Sequence, residues 1–295
     1  MPNPPPKLSA YEAIEAFKTS MAENDLSTDA PIIGDGQLHR IRINGHKRGT
    51  LNGAYVLHLD GTPAGYFEDF STGQRYNWKL PGSEHQLPNP EERKRIEAAK
   101  AERQTKRQRE QAAAAQKFAY IWRTAPLAPP TFAYLARKNI KPHGAKLTNF
   151  GALLLPLYDQ DNALVGLQYI LPDGVKRYFK HSQKKECFWW LGKQSETILI
   201  AEGFATAASL YEATGYLTVI AYDKGNLEAV AKIIRQRKPL AKIILCADND
   251  EHKPGNPGLT AATKAALAVD GLVALPPIQG DFNDWASSLK GTPHD

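Results

Sequence analysis

The chain has 295 residues, 42% of them hydrophobic and 23% charged, and a formal net charge of +6, which suits a folded protein of two domains and favours a polyanionic partner. No apolar stretch approaches the roughly 20 residues needed to span a bilayer, and the Pro-rich start is not signal-like, so a cytoplasmic protein with no membrane partner is expected. The two cysteines, Cys187 and Cys246, are too few for a disulfide framework or a four-cysteine zinc ribbon.

Residues 1–10 are Pro-rich and read as frayed. A short helix is predicted from Ala10 to Asn24, with Tyr11, Ile14, Phe17 and Lys18 at helical spacing. From Gly36 to Leu80 the pattern changes to short alternating segments, among them Leu38–Ile43, Ala54–Leu59 and Ala64–Phe70, with Asn44-Gly45 and Asp60-Gly61 as hairpin signals. This reads as a small antiparallel β module over residues 1–85, with His39, Arg40, Arg42, Lys47 and Arg48 as a basic edge for template or partner. Residues 86–117 are Lys, Arg, Glu, Gln and Ala almost without bulky apolar residues. Good helix formers with no apolar face predict a solvated helical linker.

A mixed α+β subdomain is predicted over 118–194. It has helices at Phe118–Ala125 and Phe132–Lys138 and strands at Ala152–Tyr158, Leu164–Ile170 and Arg177–His181. The aromatic run Phe188-Trp189-Trp190 reads as packing. From 195 to 295 strands and helices alternate, which predicts a parallel sheet flanked by helices. The strands are Thr197–Ala201, Leu217–Ala221, Ile243–Ala247 and Val273–Pro277. The helices are Ala205–Ala213, Leu227–Arg237, Leu259–Val269 and Asn283–Leu289.

Each of these four strands ends in a polar cluster: Glu202-Gly203, Tyr222-Asp223-Lys224, Asp248-Asn249-Asp250, and Gly280-Asp281-Phe282-Asn283-Asp284. Parallel sheets place their ligand sites beyond the carboxyl ends of the strands, so the acids converge if the strands are neighbours. Carboxylates brought side by side need a cation or a proton between them. The structural alternative is that single acids cap the helices that follow.

The pair Ile198-Leu199-Ile200-Ala201-Glu202-Gly203 and Leu245-Cys246-Ala247-Asp248-Asn249-Asp250 resembles the Toprim domain, the catalytic module of bacterial-type primases, topoisomerases and some nucleases. The resemblance extends upstream. Tyr134–Ile140, Leu155–Asp159, Leu164–Ile170 and Asp173–Lys180 look like the subdomain that precedes Toprim in primases of phages, plasmids and integrating elements. Gly280–Trp285 looks like their closing acidic element. Two positions depart from the family pattern. The cysteine-rich ribbon that often recognises template has no counterpart, and Thr206 stands where cellular primases commonly carry an acid.

The resemblance implies a DNA primase that makes short RNA primers on single-stranded DNA for a mobile element, by Mg²⁺-dependent nucleotidyl transfer, with Mn²⁺ as an alternative ion and no zinc ribbon. Asp248 and Asp250 would bind metal, Glu202 would be a third ligand or general base, and Asp281 and Asp284 a second acidic element. Lys176, Arg177, Lys180, Lys184 and Lys185, interleaved with Tyr178 and Phe179, would hold nucleotide or template, and Lys224 would face the same edge. No P-loop appears, so a separately encoded helicase or replication protein is the expected partner, beside single-stranded template and NTPs. Two alternatives stay open at this point: a Toprim nuclease that uses the same acids, and a non-catalytic protein that binds nucleic acid or a partner.

Overall fold

The computed structural model describes residues 9–81 and 90–290. Most of the Pro-rich start and the boundary expected at 85/86 lie outside the described residues. The chain forms two compact units, Met1–Lys106 and Arg107–Asp295.

In the first unit, helix α1 (Ala10–Glu23) begins in a capping box. The backbone N–H of Glu12 donates to Ser9 Oγ, and Ser9 N–H donates to the Glu12 carboxylate at 2.7 Å. Its buried stripe of Ala13, Phe17 and Met21 repeats every four residues. That stripe packs on an antiparallel sheet of β1 (His39–Ile41), β2 (Gly53–His58), β3 (Ala64–Asp69) and β4 (Arg75–Lys79), in chain order. The Phe17 ring meets Tyr55, Phe67 and Trp78 at 5.9, 5.6 and 5.1 Å between centroids. Asp60-Gly61 lies in the short turn between β2 and β3, as expected. Asn44-Gly45 instead sits inside the longer connection 42–52 and closes no tight hairpin. Ile43 is drawn into the core there, and a second turn follows at Lys47–Thr50.

Helix α2 (Pro90–Thr124) is 35 residues long. The expected break before Phe118 is absent, so the segment 118–124 is its last turns and no separate helix. Ala114, Phe118, Ile121 and Trp122 recur at helical spacing and give this end a packing face, against Leu154, Leu167 and Phe179. Residues 104–110 are exposed all round, which matches the solvated composition.

The second unit continues with α3 (Ala133–Lys138) and an antiparallel sheet of β5 (Lys146–Leu147), β6 (Leu153–Tyr158), β7 (Leu164–Ile170) and β8 (Lys176–Tyr178). Strand β9 (Trp189–Leu191), which begins within the aromatic run read as packing, joins the next sheet as its antiparallel edge. That sheet is built from β10 (Thr197–Ala201), β11 (Leu217–Ile220), β12 (Lys242–Cys246) and β13 (Leu272–Ala274), in the spatial order β13-β12-β10-β11-β9. Strands β10 to β13 pair in parallel. Strand β13 stops short of the expected Val273–Pro277 because Pro276 and Pro277 have no N–H for a ladder.

Helices α4 (Phe204–Thr214), α5 (Leu227–Arg237), α6 (Pro257–Leu267) and α7 (Phe282–Lys290) cover both faces. Ile198, Ile200, Ile243 and Leu245 point to α5 and α6, where they meet Val230, Ile234, Ala262 and Ala265. Leu199, Ala201 and Cys246 point the other way, into one core with α4, Phe282, and Leu153, Leu155 and Leu157 of β6. Strands buried on both faces carry unbroken apolar runs. The shared core also fixes the β5–β8 sheet, with β8, relative to the carboxyl edge of the parallel sheet.

Candidate active site

Strands β10 and β12 are hydrogen-bonded neighbours in parallel register, with Ala201 opposite Cys246. Glu202 therefore leaves the sheet beside Asp248, which follows Cys246 by two residues. Burial raises the Glu202 carboxyl first; Lys176 and Lys224 pull it back, and Asp223 and Asp250 push it up. Asp248 is pushed up to about 7, first by burial and then by the charges of Glu202, Asp281 and Asp250. These mutual effects bring Glu202, Asp248, Asp250 and Asp281 into one electrostatic neighbourhood. Asp248 Oδ1 is buried and accepts no hydrogen bond.

The Asp248–Asp250 turn is held by asparagines that the sequence reading passed over. Asn249, 7% exposed, exchanges backbone hydrogen bonds with Gly280 at 2.8 and 3.1 Å, and its amide donates to Ile278 O. This ties β12 to the segment that leads into Asp281. Asn256 caps α6, accepts from Asp250 N at 2.9 Å and donates to Asn249 Oδ1 at 3.0 Å. The first turn of α6 passes so close that a Cβ on Gly258 would stand 2.4 Å from Asp248 O. A glycine is required there. Side-chain amides at loop positions carry no periodic signal, which is why pattern reading does not find them.

The remaining acids have partners of their own. Asp250 Oδ1 pairs with Lys253 at 2.8 Å. Asp281 accepts from the N–H groups of Asn283 and Asp284 at 2.7 and 3.0 Å, capping the first turn of α7. Asp284 pairs with Lys138 at 3.1 Å and accepts from Asp281 N. Asp223, beyond β11, pairs with Lys184 at 3.0 Å. Its charge adds to the burial that pushes the Tyr178 phenol well up.

The basic residues divide into two sets. Lys176, at the start of β8, reaches the acids: its Nζ lies 3.3 Å from where a Cβ on Gly203 would stand, and its charge acts on both Glu202 and Asp248. Lys224 is exposed and acts on Glu202. Lys184 lies over the Tyr178 ring at 5.0 Å while it holds Asp223. Arg177 and Lys180 are exposed without an ion pair among the described residues, and Lys185 pairs only with its neighbour Glu186. Asn226 fastens this basic segment to β11. It accepts from Glu186 N and donates to the carbonyls of Lys184, Cys187 and Ala221 at 2.8–3.2 Å.

Among the described residues, no three His, Cys, Asp or Glu side chains are gathered at ligand distance. A divalent cation nevertheless suits this edge. All the donors are carboxylate oxygens, the ligands hard cations take, and Asp248 Oδ1 is a buried acceptor with nothing to accept. Thr206, at the position of the departure noted above, is buried on α4 at 3% exposure.

Residues 197–290 match the Toprim domain family, whose members generally bind divalent metal. Two DNA primases TraC of Escherichia coli are similar. One is 35% identical over 94% of this chain and 27% of its own length; the other is 37% identical over 89% and 19%. The chain thus spans about a quarter or less of these relatives. The primase fragment of the bacteriophage T7 primase-helicase protein is 18% identical, with a TM-score of 0.40 over 53% of this chain and 69% of that one. No helix among the described residues is long and apolar enough to cross a membrane. Residues 197–290 thus match the Toprim domain family, within a chain that is similar over about nine-tenths of its length to part of the TraC primases.

Proposed function

We propose that this chain is the primer-synthesising part of a DNA primase: on single-stranded DNA it joins NTPs into short RNA primers for a mobile element. The observation that carries the reading is Asp248, held beside Glu202 at the carboxyl edge of the parallel sheet with a buried oxygen unpaired. Similarity to the TraC primases over nearly the whole chain supports it.

Asp248, Asp250 and Glu202 would hold the cation, Mg²⁺ or Mn²⁺, and Asp281, with Asp284 behind it, would form the second acidic element. When bound, the cation offsets the charge that develops on the attacking and leaving oxygens of phosphoryl transfer. As the alternative to ligating the cation, Glu202, with its carboxyl raised by burial, would accept the proton of the attacking 3′-hydroxyl. Lys176 and Lys224 would meet the triphosphate at the same edge. Arg177 and Lys180, without an ion pair among the described residues, would follow the template backbone, while Lys184 and Lys185 would need to leave Asp223 and Glu186 to join them. The N-terminal β module would contact template or a partner, α2 would link it to the primase core, and a separately encoded helicase or replication protein would recruit the enzyme in the cytoplasm.

The test is incubation with single-stranded template, Mg²⁺ and labelled NTPs, alongside Asp248→Asn. Product from the wild type and none from the folded variant is expected. Equal product from both removes Asp248 from the chemistry. Template cleavage without nucleotides and with no synthesis replaces primase by nuclease.

A further inference from the structure

Lys253 differs from the other short-range lysine partners of acids in this chain. The Lys18–Glu15 and Lys232–Glu228 pairs lie along helix faces, and Lys185 pairs with its chain neighbour Glu186 away from the acids of the site. Lys253 instead pairs with a carboxylate of the site. Its ammonium lies 2.8 Å from Asp250 Oδ1, and its N–H donates to Asp250 O at 2.8 Å. The loop that brings it there is built rather than slack. Asn256 adopts a positive φ of 40°, caps α6, and binds both Asp250 N and Asn249 Oδ1, so residues 250–256 close on themselves. The Asp250 side chain is 21% exposed, whereas Lys253 is 50% exposed and has room to leave. Asp250 is the acid two residues from the unpaired Asp248, and its oxygen is already taken.

We propose that Lys253 is a built-in counter-ion. In the metal-free protein its ammonium occupies the place at Asp250 that a divalent cation takes on binding, and it must withdraw for the ion to enter. The inference rests on the metal-binding reading of Glu202, Asp248 and Asp250. Its consequence is a weakened affinity for the ion: the site fills only at a higher divalent concentration than the same acids would need alone. A lysine that merely organised the loop would have the opposite signature, because its removal would loosen Asp250 and lower affinity.

The experiment measures Mn²⁺ binding to the full chain, without nucleotide or template, from the electron paramagnetic resonance signal of free Mn²⁺. Lys253→Met is compared with Lys253→Arg, with Lys232→Met as a remote control and Asp248→Asn as a control for the site itself. Loss of one positive charge beside a divalent ion at a half-shielded site predicts roughly threefold to tenfold tighter Mn²⁺ binding by Lys253→Met. Lys253→Arg and Lys232→Met stay within about twofold of the wild type, and Asp248→Asn loses the ion. Unchanged or weaker binding by Lys253→Met, with Asp248→Asn still abolishing it, overturns the counter-ion and leaves the metal site standing. A wild type that binds no Mn²⁺ at millimolar concentration, or an Asp248→Asn variant that binds as well as wild type, overturns the metal site as read here and the place of Lys253 with it.

Discussion

Asp248→Asn should stabilise the metal-free protein, and by an amount that depends on pH. In the folded chain the Asp248 carboxyl is pushed up to about 7 by burial and by Glu202, Asp281 and Asp250, against an ordinary value of 3.8. A carboxyl raised in the folded state opposes folding once the unfolded chain can ionise it. The penalty is absent below about pH 4, where both states hold the proton, grows as pH rises, and levels off above the folded value near 7. At ~1.4 kcal/mol per pKa unit it reaches about 4 kcal/mol at pH 8 and under about 2 kcal/mol at pH 5. The asparagine variant escapes it. Urea unfolding in EDTA should therefore show the variant ahead of the wild type at pH 8, with the gap narrowing by about 2–3 kcal/mol at pH 5. Added Mg²⁺ or Mn²⁺ should raise the wild type at pH 8 and leave the variant in place. A gap of the same size at both pH values refutes the argument.

Asn226→Ala removes the acceptor of Glu186 N and the donor to three carbonyls. A loss of about 2–4 kcal/mol in urea unfolding is expected, and a loss below about 1 kcal/mol would show that the 184–187 segment has other anchors. Gly258→Ala puts a Cβ 2.4 Å from Asp248 O, which should destabilise the chain by about 1–3 kcal/mol and weaken Mn²⁺ binding; a stable variant with wild-type affinity contradicts the close approach. Lys176→Ala withdraws the positive charge that opposes the upward shifts of Glu202 and Asp248. Priming should then need a higher pH, and the KM for NTPs should rise about tenfold on loss of a phosphate contact. An unchanged pH profile would separate Lys176 from the acids.

Features of the fold that rest on periodicity were legible in the sequence. The parallel strands stand out because Ile198, Leu199, Ile200 and Ala201 are all buried, and so leave a run with no polar alternation. Helix α5 spans Leu227–Arg237, as its amphipathic spacing predicts. Strand β9 escaped because three residues at a sheet edge, two of them Trp, look the same as loop residues packed on a core. The break assumed within α2 arose from reading a change of composition as a change of structure. Polar and apolar helix can be one helix when its end meets a core. At the site, the strand-end acids were visible as residues, but their individual partners were not. Asp284 with Lys138 and Asp223 with Lys184 are long-range pairs, and nothing local encodes them.

Those partners give the acids different standing. Asp250 has Lys253, Asp223 has Lys184 and Asp284 has Lys138, while Asp281 is spent on the first turn of α7. Glu202 sits within the influence of Lys176 and Lys224. Asp248 makes no ion pair among the described residues and has one oxygen sealed from solvent without a donor. A fold that pairs Asp223, Asp250 and Asp284 with lysines, and leaves the largely buried Asp248 with only the more distant charge of Lys176, holds an acid that is at ease only with a proton or an added positive charge. On the counter-ion proposal, ion entry would exchange the Lys253 contact at Asp250 for a metal contact, and the freed ammonium would remain beside any phosphate that arrived with the ion.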